Sequence, residues 1–390
     1  MKQKAHPKFS YNTVDEFIQN FTFRNGVHTI WLGNQQSLAL LVQGEAFYTQ
    51  SSNESLLVVF TAAQFDRTDK EPPFFSGVGL ARSLELPLLA IADPTLSLSD
   101  TLPIAWYAGS QYCPNLPQKL STLITHVSAL TRLKLLIVGG SGAGFASLVQ
   151  AMCLDEEATI CVWNPQTDIM NYSQTYVDMY YETAFENHPL PDGHMHKVDT
   201  AGIKGEKRIV YLQNISDWHT QKHCLPFFKC FTLNKYGRST FIDSAGKVAF
   251  HFGDWGKGHV VPPYLLLEAL IKTLAQSHNA ALASMFLESQ GTKAQPYLFE
   301  KGKGLFPFRI ETSLEDRVLS LQCSFLEGEE DPFQYAFYLM DGKERVDTKW
   351  YTAENHVRFT LPPKIRQIKV VVFVKDQLET VISKQFTIKG

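Results

Sequence analysis

The hydrophobic positions of this chain follow two rhythms. Up to about residue 288 they come as short, nearly unbroken apolar runs of strand length: Leu56 to Phe60, Leu86 to Ala92, Leu133 to Val138, Thr159 to Trp163, Arg208 to Gln213 and Lys247 to Phe252. Helical stretches are expected between or after them, over Pro117 to Leu130, from Gly142 onward, near Thr220 to Lys229, and over Pro263 to Gln276. Apolar runs separated by helices predict an α/β domain with a mostly parallel sheet covered on both faces. Ahead of them, Phe21 to Phe23 with His28 to Leu32, and then Leu38 to Val42, are spaced like hairpin strands, with turns at Gly26, Gly33 and Ser51 to Asn53. The segment 166–206 interrupts the alternation with a tyrosine-rich helix (Tyr172, Tyr176, Tyr180, Tyr181) and the loop HPLPDGHMH, and is the expected cap over a site. After about residue 288 the pattern becomes alternating, from PYLFE to TVISKQFTIKG, with turns at Asp341-Gly342 and Leu361 to Pro363. This predicts a small immunoglobulin-like β-sandwich. The expected organisation is therefore a domain over 1–288 and a second over 289–390.

Composition narrows the function classes. A chain of 390 residues that is 44% hydrophobic and 12% aromatic can build a packed core. The net charge of −3 and the absence of a Lys/Arg cluster leave no field for nucleic acid. The N-terminus is charged and polar, and no apolar run approaches the length of a membrane span, so a cytoplasmic protein, free or peripheral to the inner membrane, is expected. Six cysteines without CxxC spacing read as reduced thiols.

The chemistry centres on LKLLIVGGSGAGFASLVQ (Leu133 to Gln150), where a strand meets a glycine-rich turn and becomes a helix. The pattern Gly139-x-Ser141-x-Ala143-Gly144 surrounds a potential nucleophile with small residues, as a tight strand-to-helix elbow requires. Such a turn exposes the serine hydroxyl and leaves the Gly142 amide at the positive end of the helix, where it can donate to an oxyanion. The alternate glycines Gly140, Gly142 and Gly144 also permit a phosphate-gripping loop, but a dinucleotide fingerprint would need glycine at Phe145. The serine reading predicts an acid past a later strand and a base past the last one. Asp217 follows RIVYLQNIS and His259 follows KVAFHFGDWGKG, both in the required order. Asp254 is a rival acid within the loop of His259, and Asp217 could instead be a helix N-cap. The second oxyanion donor is expected from the loop after Leu56 to Phe60, at the amide of Ala62. His219 and His223, four apart, and His188, His194 and His196 in one loop raise a metal site, but no carboxylate or cysteine pattern completes it. No metal is expected, and His219 with the loop histidines is read as pocket lining. The stripe Tyr172, Tyr176 and Tyr180 reads as packing that also suits a sugar ring.

GGSGAGFASL, TICVW followed by NPQT (Asn164 to Thr167), LQNISDWH (Leu212 to His219) and GDWGKGHVVPP (Gly253 to Pro263) together resemble the serine acyl-transfer proteins of the α/β-hydrolase fold associated with bacterial surface glycans, including capsule O-acetyltransferases and an accessory Sec protein of glycosylated adhesins. The resemblance spans roughly residues 28 to 280. It implies Ser141 as nucleophile, Asp217 as acid, His259 as base, and Gln166 as a residue lining the acceptor pocket. Apart from the resemblance, His219, Trp255 and Tyr176 are read as substrate-binding candidates. Ala143 departs from the glycine many hydrolases keep, and the C-terminal sandwich is not part of the minimal enzyme. The implied activity is an O-acetyl esterase or O-acetyltransferase on a bacterial polysaccharide. No cofactor is implied, acetyl-CoA entering as donor only if the reaction is a transfer. Partners would be an acylated glycan and, through the sandwich, other glycan-assembly enzymes. A peptidase or lipase of the same fold, and a catalytically silent scaffold, are the alternative readings.

Overall fold

The apolar runs of the first part of the chain become the inner strands of one sheet. In the computed structural model, which describes residues 6–33, 36–50, 54–67, 70–186, 188–290, 308–325, 333–364, 367–376 and 381–388, its strands are β1 (Lys8–Tyr11), β2 (Gly26–Gly33), β3 (Gln36–Gln43), β4 (Ser55–Phe60), β5 (Leu88–Ile91), β6 (Lys134–Gly140), β7 (Ala158–Trp163), β8 (Lys207–Asn214), β9 (Leu233–Lys235), β10 (Thr240–Asp243) and β11 (Val248–Gly253). Their spatial order is β1-β2-β3-β5-β4-β6-β7-β8-β11-β10-β9. The run from β5 through β4, β6, β7 and β8 to β11 is parallel throughout. The helices are α1 (Val14–Asn20), α2 (Glu45–Gln50), α3 (Val78–Ser83), α4 (Leu116–Thr131), α5 (Ser141–Cys153), α6 (Gln174–Phe185), α7 (Leu225–Phe228), α8 (Tyr264–Ser277) and α9 (Ala280–Ser289).

The two-sided burial expected of these strands is visible in β4. Leu56, Val58 and Phe60 enter one core, and Leu57 and Val59 enter the other. With an antiparallel start at β2 and β3, a β5/β4 inversion and a parallel remainder, this is an α/β-hydrolase sheet. Its order places the ends of β4 and β6 side by side, and those of β7, β8 and β11 next in line. Loops far apart in sequence therefore meet along one edge.

Several local expectations shift. Phe21 to Phe23 is not a strand: Phe21 closes α1, its amide donating to Phe17 O at 2.8 Å, and both phenylalanines are buried. The helix near Thr220 to Lys229 is a π-type turn, Thr220–Cys224, running into the short α7. Pro226 lacks the amide that would continue a regular ladder there. Tyr172 precedes α6 rather than lying on it. The turn at Ser51 to Asn53 and the run PYLFE lie outside the described residues. No helix among the described residues is long and apolar enough to cross a membrane.

The chain divides into two units, Met1–Ala294 and Gln295–Gly390, so the division expected after residue 288 falls within α9 of the first. The second unit holds β12 (Phe308–Glu315), β13 (Val318–Phe325), β14 (Gln334–Asp341), β15 (Glu344–Thr352), β16 (His356–Thr360), β17 (Ile368–Lys375) and β18 (Val381–Thr387). They form two antiparallel sheets, β12-β13-β16 and β15-β14-β17-β18. Alternate residues such as Leu319, Leu321, Tyr335, Phe337, Val370 and Val372 share one core between them.

Candidate active site

Ser141 stands at the junction of β6 and α5 with φ +54, a left-handed conformation that costs a non-glycine residue about 1–2 kcal/mol. The neighbouring glycines make this turn possible. A Cβ on Gly139 would overlap the Ala143 carbonyl, one on Gly140 the Trp163 indole, and one on Gly144 would lie 2.5 Å from Pro165 Cβ. Ala143 fits without such conflict and is buried in the first core. Gly142 follows in the first helical turn, where an amide has no intrahelical acceptor. Gly142 and Ala62 line one small cleft, together with Ile104 and Trp106, because β4 and β6 are neighbours.

At the ends of β8 and β11, His259 Nδ1 lies 2.5 Å from Asp217 Oδ2. The Asp217 side chain is buried and that of His259 is 37% exposed. A carboxylate on Nδ1 fixes the tautomer and leaves Nε2 free to take a proton. Asp217 also acts as a local cap, its Oδ1 accepting the His219 amide at 3.0 Å, so one carboxylate serves both that amide and the His259 ring. Asp254, exposed in the same loop as His259, is not its partner. Among the described residues, Ser141 Oγ accepts a hydrogen bond from Gln166 Nε2 at 3.2 Å, and none joins it to His259. Catalytic hydrogen bonds commonly close only when substrate is bound.

Gln166 is fully buried, its Oε1 accepting from Trp106 Nε1 at 2.5 Å. It is thus a partner of the serine itself rather than an open pocket wall. His219 is also buried rather than lining a pocket, its ring 4.3 Å from that of His259 between centroids. Burial pushes its pKa down to about 4 against the opposing pull of Asp217. His223 is pushed down to about 3, again mainly by burial. Ligand atoms of Asp217, His219 and His259 lie within 4.8 Å of one another, a spacing that could hold a cation. However, His219 Nδ1 is occupied by the Asn164 carbonyl at 2.9 Å, so as a neutral ring it presents a proton there rather than a lone pair. His194 packs among Tyr181 and Phe185, and burial lowers its pKa to about 4.

Trp255 packs over Gly253 and into the second core. Tyr176 is half-buried against Phe65 and Tyr172, with centroids at 5.3 and 6.0 Å. Tyr172 lies 5.8 Å from His219 and 5.5 Å from the exposed Trp218 between ring centroids.

Two asparagines that sequence reasoning did not single out organise the base loop. Asn214 Nδ2 donates to the Gly256 and Gly258 carbonyls at 2.8 and 2.7 Å, and its Oδ1 accepts the Trp255 amide at 3.0 Å. Asn164 Nδ2 donates to Val260 O at 2.7 Å while its Oδ1 accepts the Asn214 amide at 2.7 Å. Both lie inside NPQT and LQNISDWH, where position just past a strand end was the available signal.

No protein-family model and no curated protein matches the chain. Among solved structures it is similar to an S-formylglutathione hydrolase from Agrobacterium tumefaciens, at TM-score 0.38 and 12% identity over 69% of this chain and 98% of that one. It is similar also to acetyl xylan esterase 1 from Thermoanaerobacterium sp., at TM-score 0.40 and 9% identity over 70% and 96%. Porphyromonas gingivalis dipeptidyl peptidase 4 aligns at TM-score 0.41 and 13% identity over 65% of this chain and 35% of that one. The fold assignment rests on the strand order described above, and these likenesses assign no activity.

Proposed function

We propose that this protein is a serine-dependent acyl-transfer enzyme that works through an acyl-enzyme on Ser141, and that its substrates are O-acetylated glycans of a bacterial surface. The observation that carries the reading is the Asp217–His259 pair at 2.5 Å, after β8 and β11, on the same sheet edge as the β6 elbow whose serine has φ +54. In this reading Ser141 Oγ turns from Gln166 toward His259 Nε2, which takes its proton as Oγ bonds to the acyl carbon. The tetrahedral oxygen is met by the amides of Gly142 and Ala62. His259 returns the proton to the departing alcohol, and an incoming hydroxyl repeats the cycle in reverse, with Asp217 stabilising the imidazolium at each step. The exposed His259 ring favours water as the acceptor and hence hydrolysis; a sugar hydroxyl in the same place would give transfer, with acetyl-CoA as a possible donor. The exposed aromatic edge at Phe65 and Trp218, beside Tyr176 and Tyr172, is suited to stacking on a ring-shaped substrate.

Intact-mass measurement after treatment with a fluorophosphonate and with p-nitrophenyl acetate tests the reading. A single adduct on the wild type, absent from Ser141→Ala, is expected. Acetylated and unacetylated glycans then separate esterase from transferase. An unlabelled wild type would leave the silent-scaffold reading in its place.

A further inference from the structure

Between β5 and α4, Trp106 and Tyr107 are consecutive non-glycine residues in the left-handed region, with φ +56 and +57. Both are buried, so the conformation is imposed by what surrounds them. The buried Asp93 pins the pair, its Oδ2 accepting the Tyr107 amide at 2.7 Å and its Oδ1 the Thr95 amide at 3.0 Å. The left-handed turn sends the two side chains to two different partners. The Tyr107 hydroxyl accepts the Thr61 amide at 2.7 Å and donates to the Ile91 carbonyl at 2.7 Å. It thereby fixes the backbone immediately before Ala62. Trp106 Nε1 donates to Gln166 Oε1 at 2.5 Å, which turns the Gln166 amide so that Nε2 donates to Ser141 Oγ at 3.2 Å. The Gln166 backbone N–H also donates to the Ser141 carbonyl at 3.2 Å.

We infer that Trp106 and Tyr107 are positioning residues that set one oxyanion donor and the nucleophile from a single strained turn, Tyr107 through Thr61–Ala62 and Trp106 through Gln166 and Ser141. This rests on the acyl-transfer reading above. The turn borders the cleft of Gly142 and Ala62, and in this inference it supplies no hydrogen bond to the reacting atoms. Its effect is on where the Ala62 amide and the Ser141 hydroxyl stand when the tetrahedral oxygen forms. That effect belongs to the transition state, so it is expected in kcat with little change in KM.

The test compares Tyr107→Phe, Trp106→Phe and Tyr11→Phe in the full-length protein, with p-nitrophenyl acetate kinetics, fluorophosphonate labelling and thermal melting. Tyr11→Phe is the control, since it removes a buried hydroxyl on β1 that pairs with His28 Nδ1 at 3.1 Å. Tyr107→Phe is expected to lower kcat about 10- to 100-fold, below the full loss of an oxyanion donor, with KM within about twofold. Trp106→Phe is expected to lower kcat about tenfold, and it reads the second arm if Tyr107→Phe does not fold. Tyr11→Phe is expected to lower the melting temperature with kcat unchanged. Wild-type kcat in both Tyr107→Phe and Trp106→Phe, or a fall in Tyr11→Phe equal to theirs, overturns the inference while leaving the acyl-transfer reading intact. A wild type that neither turns over ester nor takes the fluorophosphonate overturns both.

Discussion

The two loops that carry Ser141 and His259 are held in opposite ways. The elbow from Gly139 to Gly144 is fixed from within: it is tight because its residues are small, and Trp163, Pro165 and the Ala143 carbonyl occupy the space that side chains would need. The loop after β11 is fixed from outside. Its glycines Gly256 and Gly258 have positive φ, and a Cβ on Gly258 would meet nothing within 4 Å. Its hold comes from Asn214 and Asn164, which reach out from the ends of β8 and β7. Ser141 is thus set by exclusion and His259 by attachment, and the two loops should respond differently to substitution.

The largest effect is expected at the reacting groups themselves. Ser141→Ala should abolish ester turnover, a loss of roughly 10⁶-fold by the precedent of other triads, with no change in melting temperature. Asp217→Asn should cost about 10⁴-fold in kcat, because it presents the wrong tautomer of His259, whereas Asp254→Asn should leave kcat within about twofold. The reverse ranking of the two asparagine variants would place the acid in the loop of His259.

The contrast between the loops is tested next. Gly140→Ala should destabilise by about 3 kcal/mol or more through overpacking against Trp163, whereas Gly258→Ala should cost only the roughly 1–2 kcal/mol of its left-handed conformation. Denaturant midpoints measure both, and a reversed order would mean that the elbow can relax. Asn214→Ala should lower kcat about 10- to 100-fold by releasing the His259 loop, with Ser141 still labelled by fluorophosphonate. Unchanged turnover in that variant would show that the Asp217 contact alone is sufficient to hold the base.

The smallest effect per residue concerns the histidines beneath the loop. Burial holds His219 and His223 neutral in the fold, at about 4 and about 3, while in the unfolded chain they protonate near pH 6.5. A depressed folded pKa means the unfolded state binds more protons between these values. Their contribution is therefore complete above about pH 6.5 and is lost as pH falls toward 4, by about 1–3 kcal/mol for each. Urea unfolding at pH 7.5 and pH 5 should show the decline, and His219→Asn should reduce it.

The elbow was legible in the sequence because its requirement is local: GGSGAG states in adjacent residues that side chains are excluded. The parallel strands were legible for a similar reason, since burial on both faces leaves an unbroken apolar run such as LLVVF. The base loop's attachment was not legible. Asn214 and Asn164 act through side chains whose acceptors lie some 40 to 100 residues away, and a lone asparagine after a strand carries no mark of that use. The Trp106–Tyr107 turn was hidden likewise, because IAWYAG reads as one more apolar stretch, and its left-handed backbone is imposed by Asp93 and the surrounding core. Short elements such as β1, α1, β9 and β10 escaped because a few residues cannot establish a period.

The attachment of the base loop also has a consequence for synthesis. A chain emerging from the ribosome completes β7 and β8, with Asn164 and Asn214 at their ends, some 40 residues before Gly256 to Val260 appear. Until then both buried amides lack the carbonyls they bind in the finished protein. The edge of the sheet that would do chemistry is accordingly its last to be satisfied.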